Sequence, residues 1–240
     1  MRMRLLGRFG VIASDGEGEP IQLSTRKAGA LLAYLGMSRD YAAGREELAA
    51  LLWGDCADQQ AKQSLREEMR AKRHNAANPA AFAALARLFL ATIPLPPHSI
   101  ISAYCAFRDE MDPAPLTTQL RAQGHPIALP YITGKKQPLR FHLHNPGDLL
   151  ECHPMGLLQP LPSAPVVEPD ILLVPLLAFD RMCHRLGYGG GYYDRTIEGL
   201  RSRKPITAIG IGFSYQEVSI VPVGPHDVTL DHIITELNVF

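Results

Sequence analysis

The sequence predicts an α/β protein whose central sheet is mainly parallel and is flanked by helices. From about residue 62 onwards, short apolar segments alternate with segments of helical period, which is typical of strand–helix–strand units. The segment at 170–175 is almost wholly apolar, as strands buried on both faces of a parallel sheet are. The length of 240 residues, 46% of them hydrophobic and 20% charged, suits one large domain or a domain with a small appendage.

The first 60 residues are predicted to form the appendage, a short α/β segment. The predicted elements are a strand at 4–12, a turn at 15–18, a strand at 20–23, and helices at 26–37 and 45–53. Ser24 or Thr25 is a candidate N-cap for the first helix, and Gly54 is expected to end the second.

The remaining residues supply the predicted sheet and the helices that cover it. Helices are predicted at 58–75, 81–92, 113–123 and 192–203, and residues 145–169 are predicted to be a loop. Strands are predicted at 99–107, 126–132, 139–143, 170–175, 206–213, 218–221 and 232–235. Pro79 is expected to open the second of these helices and Pro94 to end it.

Residues 178–195 contain the strongest chemical signal. Four glycines at 187 and 189–191 leave backbone N–H groups open to a ligand, and such a loop entering a helix is a ready anion site. Arg185 precedes the loop as a partner for phosphate, and Asp194 in the first helical turn can hold a metal ion or cap the helix. The spacing matches neither a P-loop nor a dinucleotide-binding fingerprint, and a glycine cluster alone is explained as well by a structural turn.

Phe179-Asp180 followed by Arg185-Leu-Gly-Tyr-Gly-Gly-Gly-Tyr-Tyr-Asp194 resembles the signature of 5-formyltetrahydrofolate cyclo-ligases. Three further segments resemble other family motifs, in the family's order: Lys62-Gln-Ser-Leu-Arg66, residues 108–112 and residues 225–231. The resemblance covers about residues 62–236. It implies a cyclo-ligase domain at 61–240 with a three-layer, Rossmann-like α/β fold.

The resemblance also implies an activity, namely the ATP-driven closure of 5-formyltetrahydrofolate to 5,10-methenyltetrahydrofolate with release of ADP and phosphate. By this resemblance Arg185 and Asp194 are catalytic, and Asp194 and Asp227 bind Mg²⁺. The ATP-binding residues would be Lys62, Arg66, Arg185, Leu186, Gly187, Tyr188, Gly189, Gly190, Gly191, Tyr192 and Tyr193. The folate-binding residues would be Cys105, Glu110, Tyr188, Gly189, Gly190, Gly191 and Tyr192.

Each role has an ordinary structural alternative. Lys62 and Arg66, four residues apart, would by themselves be a solvated helix face, and Asp227 would be a turn residue. Cys105 is most simply a small buried apolar residue. The histidines at 142, 144 and 153 fit no common metal spacing and are predicted to lie at the surface. The chain departs from the family at Tyr188, where arginine is frequent, and at 111–113, where Val-Asp-Thr is frequent.

The N-terminal segment resembles a different class of protein. Residues 5–9, 23–35 and 45–55 resemble the start of winged-helix DNA-binding domains in bacterial transcriptional activators, with 58–74 as the third helix. Residues 1–62 hold eight basic and eight acidic residues, which argues against a DNA-binding face. We therefore expect 1–60 to be a partial winged-helix-like remnant. A DNA-binding regulator with a folate- or nucleotide-sensing domain remains the alternative, as does a binding protein without catalysis.

The sequence indicates a cytoplasmic protein. Its longest apolar stretch, at 171–179, is half or less of what a membrane-spanning helix needs. Cys56, Cys105, Cys152 and Cys183 form no CxxC pair and are expected to be reduced thiols. The expected partners are ATP and 5-formyltetrahydrofolate, with no membrane and no nucleic acid, and we expect a monomer.

Overall fold

The computed structural model describes residues 2–6, 8–12, 45–72 and 78–240, with side chains from residue 59 onwards. The chain divides into two compact units, Met1–Gln60 and Ala61–Phe240. The predicted turn at 15–18, strand at 20–23 and helix at 26–37 lie outside the described residues.

In the first unit, β1 (Arg2–Leu6) and β2 (Arg8–Ile12) pair antiparallel, with Met3 opposite Val11 and Leu5 opposite Phe9. The prediction of a single strand over 4–12 was therefore wrong. A run of residues with strand propensity does not itself show where a hairpin reverses, and a glycine at the midpoint is compatible with either outcome.

Helix α1 is a single helix, Arg45–Lys72, of 28 residues. The predicted end at Gly54 and the separate helix at 58–75 were wrong. One glycine inside a helix costs only about 1 kcal/mol relative to alanine. The surrounding leucine, alanine, glutamine, lysine and arginine residues favour the helix and outweigh that cost.

The second unit contains the remaining elements. The helices are α2 (Pro79–Thr92), α3 (Ala114–Ala122) and α4 (Tyr192–Arg201), and a short 3₁₀ turn spans Ser214–Gln216. The strands are β3 (Ile101–Ser102), β4 (Ile127–Ile132), β5 (Leu139–Leu143), β6 (Leu150–Cys152), β7 (Leu158–Pro160), β8 (Val166–Val167), β9 (Ile171–Pro175), β10 (Ala178–Phe179), β11 (Arg185–Leu186), β12 (Thr207–Ile211) and β13 (His232–Ile234).

The central sheet has seven strands in the order β13-β12-β9-β3-β4-β5-β8. The strands from β13 to β4 are parallel, and β5 and β8 add an antiparallel edge. The predicted mainly parallel sheet is thus confirmed. The chain runs from β3 outwards to β4 and later returns to β9 on the other side of β3, so the strand order reverses between β3 and β9.

Two apolar layers separate this sheet from its helices. Alternate residues of β9 point to opposite faces, so that Leu173 packs in the cluster with α2 and α3, and Leu172 packs in the cluster with α4. Phe89 of α2 and Ile197 of α4 are both fully buried in these layers. Helices on both faces explain why β9 is apolar throughout, and the flanking helices were predicted within a few residues of their ends.

Two further segment predictions, the loop at 145–169 and the strand at 99–107, need correction. The predicted loop at 145–169 contains β6, β7 and β8, because strands of two or three residues among prolines and glycines are too short to show a period. The predicted strand at 99–107 is reduced to β3.

Residues 218–221, within the described range, form no strand. The N–H group of Val218 donates to Phe179 and that of Val221 to the Asp180 carboxylate, so these backbone groups are paired individually and not in a ladder. Among the described residues, no helix is long and apolar enough to cross a membrane.

Replacing Leu173 by alanine tests the central layer. Leu173 is fully buried in the sheet core, so Leu173→Ala is expected to lower the free energy of unfolding by about 2–5 kcal/mol. The matched control is Leu149→Ala, because the Leu149 side chain is 75% exposed and its loss should change that free energy by less than about 0.5 kcal/mol. Urea unfolding of the two variants measures both, and equal effects would contradict this assignment of the core.

Candidate active site

The candidate site lies where the strand order reverses. The segment with Cys105 and Glu110 follows β3, and the glycine-rich loop follows β9 through the β10–β11 hairpin. Because β3 and β9 are parallel neighbours, both segments leave the sheet at the same edge. Ligands of open α/β sheets bind at this kind of crevice.

The loop geometry requires glycine at specific positions. Gly189 and Gly191 have φ of +95° and +62°, conformations that other residues rarely adopt. A Cβ at Gly190 would lie 2.7 Å from the Tyr192 ring. Gly191 is also the N-cap of α4, so the loop presents backbone N–H groups directly at a helix N-terminus.

Arg185 and Asp194 are paired across this loop. The Nη2 atom of Arg185 donates to Oδ1 of Asp194 at 2.6 Å, and Nη1 donates to the carbonyl of Val228 at 2.6 Å. The Val228 N–H group donates to the same Asp194 oxygen at 3.2 Å. The Arg185 side chain is only 5% exposed, so this guanidinium is held in a fixed position.

Lys62 and Asp227 form a second ion pair beside the first. Lys62 donates through Nζ to Oδ2 of Asp227, which also accepts the Gly224 N–H group at 2.8 Å. Asp227 directly precedes Val228, whose backbone contacts the other pair. The two carboxylates and their two cations therefore form one continuous cluster.

Arg66 joins helix α1 to the glycine loop. Its Nε atom donates to the Gly187 carbonyl at 2.9 Å, and its guanidinium lies against Gly189, where a Cβ would be 3.3 Å away. Burial, followed by the nearby positive charge of Arg70, lowers the pKa of Arg66 from its ordinary value. The reading of Lys62 and Arg66 as a solvated helix face was therefore wrong.

A turn after β3 holds Glu110 inside the protein. Arg108 adopts a φ of +57°, and the chain turns back so that the Phe107 N–H group donates to Oε2 of Glu110 at 2.9 Å. Glu110 is 6% exposed. Glu110 is therefore a buried carboxylate held by the turn that follows β3.

Tyr193 lies in the first turn of α4, and its phenol is affected by charges from this turn and from the residue at the start of the glycine loop. Burial raises the pKa of its phenol, and the negative charge of Glu110 raises it further, while Arg185 acts in the opposite direction. Burial also raises the pKa of the Cys105 thiol, as does Asp112 to a smaller extent. Both groups therefore remain protonated at neutral pH.

The other predicted loop residues differ in exposure. Tyr188 is 41% exposed, and Gly189 and Gly190 are exposed. Leu186 is buried against Met69 and Ala178, so its side chain belongs to the core and only its backbone borders the loop. The Tyr192 ring lies beside Gly190, with the Arg195 guanidinium 5.7 Å from its centre.

Asp180 is a site residue to which the sequence analysis gave no role. Its Oδ1 atom accepts the N–H groups of Met182 and His184, and its Oδ2 atom accepts those of Val221 and the His184 ring, at 3.0 to 3.1 Å. Burial alone would raise its pKa, but these donors together hold the pKa below its usual value. Asp180 thereby fixes the turn that leads into Arg185.

One histidine prediction was wrong. His142 is 1% exposed, its Nδ1 atom is 2.7 Å from the Ala164 carbonyl, and its ring lies 5.1 Å from that of Tyr131. It is a core residue and not a surface one, because β5 is covered on that face. Within the described part of the chain, no three His, Cys, Asp or Glu side chains are grouped as a metal site.

The donor chemistry of Asp194 and Asp227 nevertheless fits Mg²⁺. Each carboxylate uses one oxygen for the bonds described above, Oδ1 in Asp194 and Oδ2 in Asp227, so each has a second oxygen for a ligand. Mg²⁺ is usually bound by one or two carboxylates together with waters and phosphate oxygens, so a third protein ligand is not required.

Fold and site together define a class of protein. The site has a glycine-rich loop at a helix N-terminus, clustered cations and paired carboxylates, and it lies at the switch point of a parallel sheet. These features characterise α/β proteins that bind phosphorylated ligands. Comparison with known proteins makes this specific. The chain belongs to the 5-formyltetrahydrofolate cyclo-ligase family, whose sequence model matches residues 58–236.

Individual relatives agree with this assignment. A 5-formyltetrahydrofolate cyclo-ligase of Haemophilus influenzae is 32% identical over 139 residues, which cover 56% of this chain and 74% of the relative. One of Mycolicibacterium smegmatis is 34% identical over 114 residues, covering 46% of this chain and only 57% of the relative. The solved 5,10-methenyltetrahydrofolate synthetase of Aquifex aeolicus is 28% identical with a TM-score of 0.60, covering 74% of this chain and 91% of that one.

Asp180→Asn tests the turn that precedes Arg185. The asparagine side chain would replace one accepting oxygen by an NH₂ group, which would face backbone N–H donors. We therefore expect a loss of about 1–3 kcal/mol in the free energy of unfolding at pH 7. The Asp180 contribution is fully present above the ordinary aspartate pKa of 3.8 and is lost as the pH falls through the lower folded value. The variant should therefore lose less stability than the wild type on acidification.

The control for this substitution is Asp148→Asn, at an exposed carboxylate that accepts one backbone N–H group from Asn145. It should change the free energy of unfolding by less than about 1 kcal/mol. Denaturant unfolding of the wild type and both variants at pH 7 and at pH 3 measures these free energies. A wild type and an Asp180→Asn variant with the same pH dependence would contradict the structural role of this carboxylate.

Proposed function

We propose that this protein converts 5-formyltetrahydrofolate to 5,10-methenyltetrahydrofolate, with hydrolysis of ATP to ADP and phosphate. The observation that carries the proposal is the cluster in which Lys62, Arg66, Arg185, Asp194 and Asp227 surround the glycine loop. Family membership and the names of the relatives agree with it.

The reaction needs activation of a formamide. In the proposed mechanism the formyl oxygen attacks the terminal phosphorus of ATP, and the bond between that phosphorus and the oxygen of ADP breaks. The folate N10 then attacks the formyl carbon and loses its proton, and the C–O bond breaks with release of phosphate. No covalent enzyme intermediate is required, so the protein acts by positioning two ligands and stabilising negative charge.

The cations of the site are the groups for the phosphates. Arg185 is held almost without exposure at the start of the loop. Arg66 reaches the loop from helix α1, and Lys62 of the same helix is paired with Asp227. The loop N–H groups at the α4 N-terminus add neutral donors. Arg185 is thereby the group best placed to stabilise charge on the transferred phosphoryl group.

Asp194 and Asp227 are the residues that would hold Mg²⁺, each through its second oxygen. The ion would neutralise phosphate charge and orient the transferred group. Before the ligand arrives, Arg185 and Lys62 keep these carboxylates in place.

The folate is proposed to bind on the β3 side of the crevice. Glu110 would accept hydrogen bonds from pterin N–H groups, with Cys105 as a neighbouring contact. Tyr193, whose phenol pKa is affected by both Glu110 and Arg185, would lie near both ligands.

The alternative function, a DNA-binding regulator, has no comparable support. Lys62 and Arg66, which would belong to its third helix, are engaged with Asp227 and Gly187. The prediction that residues 1–60 are a partial winged-helix-like remnant, and that 61–240 is the cyclo-ligase domain, remains a proposal.

Asp194→Asn tests the proposed function directly. Loss of this carboxylate should lower kcat/KM with MgATP and 5-formyltetrahydrofolate at least about a hundredfold. The matched control is Glu198→Gln, because Glu198 is exposed and lies one turn further along α4. Its kcat/KM should stay within about twofold of the wild-type value. Formation of the methenyl product is followed by its absorbance.

The assay also separates catalysis from binding alone. A wild-type protein that binds MgATP and the folate but forms no product would show that it is a binding protein and contradict the proposal. Equal activity in the wild type and Asp194→Asn would contradict the role of Asp194.

A further inference from the structure

Arg70 occupies a specific place above the glycine loop. Lys62, Arg66 and Arg70 follow one another at intervals of four residues and so lie along one face of helix α1. The Arg70 guanidinium carbon lies 5.8 Å from the centre of the Tyr188 ring, within the range of a cation–π contact. Tyr188 stands between Gly187 and Gly189, the two loop residues that Arg66 contacts.

Arg70 differs from the other cations of the cluster in its bonding. Lys62 is paired with Asp227, Arg66 donates to a carbonyl, and Arg185 is paired with Asp194. For Arg70, residues 59–72 and 78–240 supply the ring contact but no carboxylate and no hydrogen-bond acceptor. A guanidinium has five N–H donors, so those of Arg70 are available for hydrogen bonds to a ligand.

The electrostatics agree with this placement. The positive charge of Arg70 contributes to the lowered pKa of Arg66, so the two guanidinium groups are close enough to repel each other. Two neighbouring arginines are expected to attract a multivalent anion more strongly than either arginine alone, because the anion removes their mutual repulsion.

We propose that Arg70 binds the phosphate chain of the nucleotide and that the exposed ring of Tyr188 supports its guanidinium. This inference rests on the proposed function, because it takes the anion at the loop to be MgATP. It adds Arg70 to the nucleotide-binding residues of α1, which the resemblance limits to Lys62 and Arg66. The carboxylates of the folate are the other anions present, so the test includes both ligands.

The direct test compares Arg70→Gln with Lys72→Gln in the full-length protein. Both remove one positive charge from the same turn of α1, but Lys72 is exposed and paired with Glu68. Isothermal titration with MgATP should show an affinity about tenfold lower in Arg70→Gln and unchanged within about twofold in Lys72→Gln. Affinity for 5-formyltetrahydrofolate should be the same in both.

Salt dependence separates phosphate binding from support of the loop. Arg70→Gln should reduce the slope of log affinity against log salt, because one charge–phosphate contact is lost. Tyr188→Leu removes the ring but no charge, so its slope should equal that of the wild type. Arg70→Lys, which keeps the charge without the planar fork, should recover part of the affinity.

Four results would overturn the inference. Equal MgATP affinities for Arg70→Gln and Lys72→Gln would show that Arg70 does not touch the nucleotide. Weakened folate binding alone would place Arg70 at the other ligand and leave the proposed function intact. An unchanged salt slope in Arg70→Gln, together with the same loss in Tyr188→Leu, would assign Arg70 to loop support. Absence of MgATP binding by the wild type would overturn the proposed function as well.

Discussion

The site depends on one interaction above all, the ion pair between Lys62 of helix α1 and Asp227 of the segment before β13. These residues are 165 positions apart, and their contact brings the cations of α1 to the glycine loop. Asp227 is followed by Val228, whose backbone meets both Arg185 and Asp194. Because each of these buried or half-buried charges has an opposite charge beside it, the protein assembles a highly charged crevice without leaving any of the four groups unpaired.

The fold explains why these groups meet. Parallel neighbours β3 and β9 direct their following segments to the same edge of the sheet, and the reversal of strand order between them opens the crevice. The glycines make the approach of α1 possible, since a side chain at position 189 would press against the Arg66 guanidinium. The buried turn of Asp180 fixes the other end of the loop. Thus the strand ends, helix α1 and a hydrogen-bonded turn together position the charged groups.

The sequence predicted the sheet well because β9 is a continuous apolar segment and the helices that cover the sheet carry clear apolar periods. It failed where the deciding energy was small or non-local. Helix α1 continues through Gly54 because one glycine lowers helix stability only slightly. The β6–β7 hairpin was missed because its strands of three residues are too short to show a period. At the site, composition and spacing favoured a solvated face for Lys62 and Arg66, and only the resemblance placed them at a ligand. The role of Asp180 depends on an N–H group 41 residues away, for which the local sequence gives no signal.

A double-mutant cycle on Lys62 and Asp227 tests most directly whether α1 and the glycine loop form one nucleotide site. MgATP affinity is measured by titration for Lys62→Met, Asp227→Asn and the double variant. If the pair acts as a unit, Lys62→Met already removes the partner that holds Asp227 in place for the metal ion, so adding Asp227→Asn causes no further loss of affinity. The double variant should then bind MgATP no more weakly than Lys62→Met. Losses that simply multiply in the double variant would show two independent groups and contradict this account of the site.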